Sequence, residues 1–510
     1  MTKRFLHIAV GLIAGVLGVA GFVCAGPSVA APAEPPASSS TALTVAFHVH
    51  SNISSGTLSL DEIAEQAGRM GIDAVVFSEN LALRYEYGLF PFRGMIRWTV
   101  TLPSVVEYGI DRYLAAVAEA QARHPGVLLV PGVEVTPHYY WTGSLFERNL
   151  TMHNAQKNLL VVGLTRSEDY ADLPVPGNRG FSRYGWETLG NVWPVGLLVY
   201  AAWLWRRRQY RKVRVGVTMM RVARGFHVPA GLLAACGILL LLPAWPYDSP
   251  RFSLYDDRLG ERPYQALIET AVQRGGTVIW SMPEAVDFNV FPYGPLGPVT
   301  VKTDPYPASL LKTTRYAGFG GVYQDTRTIT EPGALWDQLL LQYLEGLRTD
   351  LPFSFGEIAY HRPGQAGIEL NQVLNIVTVR ERTAAGVVEA MKAGRLYALS
   401  QAGRPFGLRL DTFRVETQDG ARAADVGKLF MRGAEPPAVH VAVTATDRGA
   451  HQVQVMIIRS GQVIARMAGA TPFHQRVEDG TLPPGAAAYY RVDVRGDGEI
   501  LSNPIFVTSR

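Results

Sequence analysis

Cysteine is nearly absent. The 510 residues hold two, Cys24 and Cys236. Each lies inside an apolar run, which excludes a disulfide framework and a thiol site in the folded part. Charge is sparse too: Asp, Glu, Lys and Arg make up 18%, below the quarter usual in globular chains, and mean hydropathy is slightly positive. Solenoid-type repeats are missing. Acidic residues are missing from 206–224, which hold Arg206, Arg207, Arg208, Arg211, Lys212, Arg214, Arg221 and Arg224. Setting those eight aside turns the formal net charge of +4 into −4. The remainder is mildly acidic and gives no reason to expect a nucleic-acid partner.

Length leaves room for two or three domains and a sizeable core. The chain opens with MTKR, an apolar stretch and Ser28-Val29-Ala30, the pattern of a secretory signal peptide over 1–30. A Pro/Ala/Ser linker, 31–43, follows. Two further apolar runs, 186–205 and 225–247, flank the basic segment. Each is about long enough to cross ~30 Å of hydrocarbon, and the Trp and Tyr residues at their ends suit interfacial belts. The reading is a transmembrane hairpin, 186–247, with its basic loop 206–224 cytoplasmic. The lipid bilayer is then a partner, and the protein is placed in the cell (inner) membrane with its remaining mass extracytoplasmic, in the periplasm.

Around that interruption the texture is α/β. TVAFHVH (44–50), IDAVVFSEN, VLLVPGVEVT and NLLVVGL (158–164) read as buried strands. Ser59-Leu60-Asp61-Glu62 marks a capping box before a helix that Gly71 stops. Strands apolar on both faces, alternating with helices, predict a parallel sheet under helices. The pattern resumes after the hairpin, giving one domain in two halves, 44–185 and 248–402. From 403 to 510 period-two alternation with Gly-containing turns predicts a β-sandwich.

Residues with metal-binding chemistry recur at strand ends. His48 and His50 share one face of a strand. Glu79 ends the second strand, Glu134 lies in the third, His138 and His153 flank the next loop, and Glu357 and His361 follow a later apolar stretch. Imidazoles and carboxylates in that arrangement suit a divalent ion: zinc, manganese or iron. Such an ion activates water for attack on a phosphoester.

VAFHVHSNISSGTLSLDEIAEQAGRMGIDAVVFSEN resembles the opening of the polymerase-and-histidinol-phosphatase (PHP) domain family. PGVEVT, GGTVIWSMP, FSFGEIAYH and the segment GVVEAMKAGRLYAL resemble its later motifs. The resemblance implies a PHP-type distorted β/α barrel, here interrupted by the transmembrane hairpin and followed by the β-sandwich. It implies a metal-dependent phosphoesterase acting on a small or polymeric phosphoester. His48, His50, Glu134 and His361 match family ligands. Ser55, Asn80, Asn158, Met282 and Ala359 stand where the family carries further ligands, which implies fewer ions than usual. Glu79, Glu357, His138 and His153 are the available substitutes, and Glu79 and Glu134 are the candidate catalytic carboxylates. The alternative is a degenerate pseudoenzyme that serves as a binding, sensing or scaffold module of the envelope.

Overall fold

The computed structural model describes residues 40–510, except 91, 92, 94–96, 243–248, 295, 296, 324–326, 366, 367, 402, 434 and 510. The signal peptide expected at 1–30 and nearly all of the linker lie outside the described residues. Residues 40–510 form one compact unit of mixed α/β structure.

Its centre is a ring of short buried strands. Thr41–Val49 runs parallel to Ala74–Phe77, which runs parallel to Leu128–Val130. The next residues of these last two strands, Glu79–Asn80 and Gly132–Val135, pair in parallel as well. Leu159–Val162 lies antiparallel between Gly132–Val135 and Thr277–Trp280. Gly318–Val322 and Phe353–Gly356 continue the ring in parallel. The ring closes through the backbone beyond Phe353–Gly356. Ile358 N donates to Phe47 O at 3.1 Å, Tyr360 N to His48 O at 3.0 Å, and His50 N to Tyr360 O at 2.9 Å.

Alternation sorts the side chains of these strands. Val45, Phe47, Val76, Leu160, Ile279 and Phe355 meet in one buried cluster. Ala46, Val75, Val161 and Val278 pack into another, with helix residues such as Ile63, Ala67 and Leu267. The helix Leu60–Arg69 carries the predicted capping box: Glu62 N donates to Ser59 Oγ at 3.3 Å, and Ser59 N to Glu62 Oε2 at 2.8 Å. Gly71, at φ +71°, follows its end.

The fold predicted for 186–247 is wrong. Among the described residues no helix is long and apolar enough to cross a membrane. Trp186–Asn191 is a 3-10 segment, and Pro194 starts an α-helix only at Val195. The helices Val195–Arg206 and His227–Leu241 have 12 and 15 residues, or about 18 and 22 Å at the α-helical rise, short of the ~30 Å of hydrocarbon. The basic segment expected as a cytoplasmic loop is a two-stranded ribbon, Arg208–Val215 against Thr218–Gly225, turning at Gly216 with φ +64°. The transmembrane hairpin is therefore withdrawn, and with it the inner-membrane anchor that rested on it.

Beyond residue 403, Leu408–Glu416 pairs with Ala438–Ala445, which pairs with Phe473–Glu478. Other C-terminal strands extend the sheet of the ring. Glu499–Ser502 pairs with Leu396–Ser400, that strand with Val373–Val379, and that one with Thr41–Val49. The strand bearing His48 is thus braced on both sides.

Candidate metal centre

His48 sits at an irregularity. Pairing with Ala74–Phe77 skips a residue between Phe47 and Val49, and His48 takes φ +72°, a conformation that non-glycine residues adopt only when their surroundings enforce it. Val49 consequently packs in the cluster opposite to that of Phe47. The two rings lie side by side, with centroids 5.1 Å apart. Met282, φ +35°, and Ala359, φ +44°, are left-handed as well. Three strained non-glycine residues thus fall at motif positions of three separate strand ends.

Glu134 meets both imidazoles. Its Oε1 is 3.4 Å from His48 Nε2, and its Oε2 is 3.7 Å from His50 Nε2. One nitrogen from each histidine and one carboxylate oxygen lie within 4.8 Å of one another, and all three residues are buried. Two ligand atoms of a tetrahedral ion with bonds of about 2.0–2.1 Å stand about 3.3 Å apart, so the spacing fits one ion. A second observation agrees. Both ring nitrogens of His50 are fully buried without a hydrogen-bond partner, a costly arrangement that a bound cation relieves. His361 is not one of the three. Its ring stacks on His50 with centroids 4.2 Å apart, and its Nδ1 lies 3.0 Å from Ser55 Oγ.

Glu357 stands behind His48. Its Oε2 is 3.1 Å from His48 Nδ1 and accepts from Ser281 Oγ at 2.8 Å. Asn80 Nδ2 donates to Glu134 Oε2 at 2.6 Å, and Asn158 Nδ2 to Glu134 Oε1 at 2.7 Å. Ser55 Oγ donates to Asn80 Oδ1, and Thr136 Oγ1 to Asn158 Oδ1. Glu79 is turned elsewhere: one oxygen accepts from Ser51 N at 2.7 Å and the other from Ser54 Oγ. His153 is also elsewhere, its Nε2 2.8 Å from Thr142 Oγ1 and its ring stacked on Tyr140. His138 contacts Ser253 O at 3.0 Å.

Electrostatics follow from this packing. Burial alone would depress His48, but Glu134 and Glu357 outweigh it and lift the imidazole to about 9. Burial would raise Glu134, but His48, His50 and His361 hold it down at about 2. Burial lowers His50 well below the ordinary histidine value and lowers His361. Burial raises Glu357, and it lifts Glu79 to about 7 against the bonds from Ser51 and Ser54. His48 is therefore held protonated beside an ionised Glu134.

The sequence picked out His48, His50, Glu134, His361 and Glu357 from widely separated motifs, and the fold gathers them, together with Asn80 and Asn158, which stand where the family carries ligands. It does not bring Glu79, His138 or His153 into the group. Ser281 went unnoticed beside Met282, and its position at the end of the strand Thr277–Trp280 was the signal available.

No protein-family model and no curated protein sequence matches the chain. Solved structures do. A two-domain protein of Bacteroides vulgatus, containing a predicted PHP-like metal-dependent phosphoesterase, aligns over 92% of this chain and 95% of its own, at 11% identity and a TM-score of 0.37. A protein of Bifidobacterium adolescentis, assigned as a metal-dependent phosphoesterase, aligns over 66% and 91%, at 14% identity and a TM-score of 0.26. An amidohydrolase of Chromobacterium violaceum, with bound sulfate and no metal, aligns over 63% and 88%, at 12% identity and a TM-score of 0.25. One neighbour thus contains a predicted PHP-like phosphoesterase, one is assigned as a metal-dependent phosphoesterase and one is an amidohydrolase. Likeness at this level carries no functional weight, so the chemistry is read from the side chains of this chain.

Proposed function

We propose that the chain is a metal-dependent phosphoesterase of PHP type that uses a single divalent ion held by His48, His50 and Glu134, with His361 alongside. The observation that carries this reading is His50, buried beside an ionised carboxylate with both ring nitrogens unpartnered. A bound ion supplies a Lewis acid that polarises a phosphoryl oxygen and acidifies water. The chain's own groups do the rest. Asn80 and Asn158 fix the plane of the Glu134 carboxylate. Ser55 links Asn80 to His361. Glu79 holds the loop that follows His50 through Ser51 and Ser54.

A second reading has its own support. Asn80 and Asn158 are neutral donors on the carboxylate, and Glu79 is engaged by its loop, so the same ion could be structural in a pseudoenzyme. Metal analysis of the purified protein followed by turnover of a model phosphodiester separates the two. The phosphoesterase reading expects one ion per chain and turnover abolished in His50→Ala and Glu134→Gln. A protein that binds one ion and turns over nothing with zinc, manganese or iron is the pseudoenzyme. A protein that binds no divalent ion refutes both.

A further inference from the structure

We infer that Glu357 is a positioning residue for His48 and not a metal ligand; this rests on the metal reading above. Glu357 was expected among the ligands, and its charge lies close to the cluster. Yet its Oε2 faces His48 Nδ1 at 3.1 Å, on the opposite side of the ring from the Nε2 that looks toward Glu134 at 3.4 Å. An imidazole has two nitrogens, and a partner on one decides what the other can do. A carboxylate at Nδ1 holds the hydrogen there and leaves the Nε2 lone pair for a cation, and it fixes the ring plane as well.

The seat for this carboxylate is built from three distant segments. Ser281, at the end of Thr277–Trp280, donates to Oε2 at 2.8 Å. Gly320, in Gly318–Val322, leaves the space: a Cβ there would stand 2.4 Å from Glu357 Oε1. Glu357 itself follows Phe353–Gly356, its N bonded to Val322 O at 2.9 Å. It is completely buried; the seat engages Oε2, while Oε1 has no hydrogen-bond partner. The backbone of His48 is left-handed, φ +72°, and Glu357 is the carboxylate that meets the Nδ1 side of its ring.

Cobalt(II) titration of the full chain tests the assignment, read by the visible d–d bands and by competition with a chromophoric chelator. Glu357→Gln keeps shape and an acceptor but removes the charge. It is expected to weaken cobalt binding about 10- to 100-fold, with one ion still bound and the band positions unchanged. Ser281→Ala, which loses the hydrogen bond to the brace and a 3.5 Å contact with His48 Nδ1 but keeps the carboxylate, is expected to weaken binding less, with the same bands. Circular dichroism melts confirm that both variants are folded. Affinity in Glu357→Gln within twofold of the parent overturns the positioning role. Bands that shift to a different coordination number overturn it too, by making Glu357 a ligand. A parent protein that takes up no cobalt overturns the metal reading itself, which is a separate result.

Discussion

Replacing Glu79 by Gln tests whether burial governs the electrostatics around the site. Glu79 is completely buried, with an oxygen on Ser51 N and an oxygen on Ser54 Oγ. Burial dominates these bonds and lifts the carboxyl from 4.5 to about 7. A carboxyl raised on folding resists ionisation in the native state, so its penalty is absent below about pH 4.5, grows as pH rises, and is complete above about pH 7. At about 1.4 kcal/mol per pKa unit, the full penalty is about 3 kcal/mol. Gln accepts from Ser51 N as Glu does and carries no charge to lose. Urea unfolding of both proteins between pH 4.5 and 8 should give near-equal stabilities at the acid end, with Glu79→Gln gaining up to about 3 kcal/mol by pH 8. The buried histidines also change protonation on unfolding in this window, but they are common to both proteins, so the difference isolates Glu79. Parallel curves, or a variant that loses ground as pH rises, would show that Ser51 and Ser54 stabilise an ionised Glu79, and the reasoning would fail.

Three further outcomes are expected. His48 is lifted to about 9 and Glu134 is held at about 2, so metal uptake between pH 6 and 8 must displace one proton. Affinity should then climb about tenfold per pH unit, and calorimetry in buffers of different ionisation enthalpy should count that proton; a flat pH profile would contradict it. Asp337→Ala strips Arg491, fully buried, of bonds at 2.6 and 2.8 Å and takes an acceptor from Tyr489. A loss of about 3–5 kcal/mol in chemical unfolding is expected, and a loss under 1 kcal/mol would be inconsistent with a desolvated pair. Gly318→Ala would place a Cβ 2.1 Å from Phe353 O. It should cost about 1–3 kcal/mol or more through strand displacement, and an unchanged melting temperature would disprove the close approach.

The amino-acid sequence exposes the candidate ligands more clearly than their roles. His48, His50 and Glu134 stand out because a two-residue repeat and a carboxylate between β-branched residues are local patterns. The role of Glu357 is hidden, since its partner His48 is 309 positions away and no local pattern links them. The left-handed backbones of His48, Met282 and Ala359 leave no mark in composition either. His153 misleads for the opposite reason. It follows Glu134 closely in the chain, but Thr151–His153 pairs with Tyr140–Thr142 in a separate sheet. The apolar runs at 186–205 and 225–247 mislead because hydropathy counts residues, whereas crossing a bilayer needs helix length. A 3-10 segment and Pro194 shorten the first helix, and Gly225 in the ribbon delays the start of the second to His227.

Under the metal reading, the lone pairs of one carboxylate limit the number of ions. An ionised Glu134 offers about four acceptor positions. Two face His48 and His50, and the other two are taken by the amide nitrogens of Asn80 and Asn158. An amide nitrogen donates hydrogen and has no lone pair for a cation, so a second ion approaching from either side would meet N–H groups instead of ligands. Glu79 cannot replace them while Ser51 and Ser54 hold both its oxygens. The two-metal clamp that stabilises attacking and leaving oxygens together is therefore closed to this site. Under the phosphoesterase reading proposed above, the developing charge on the substrate would be met by one cation and by the hydrogen-bonding groups around it.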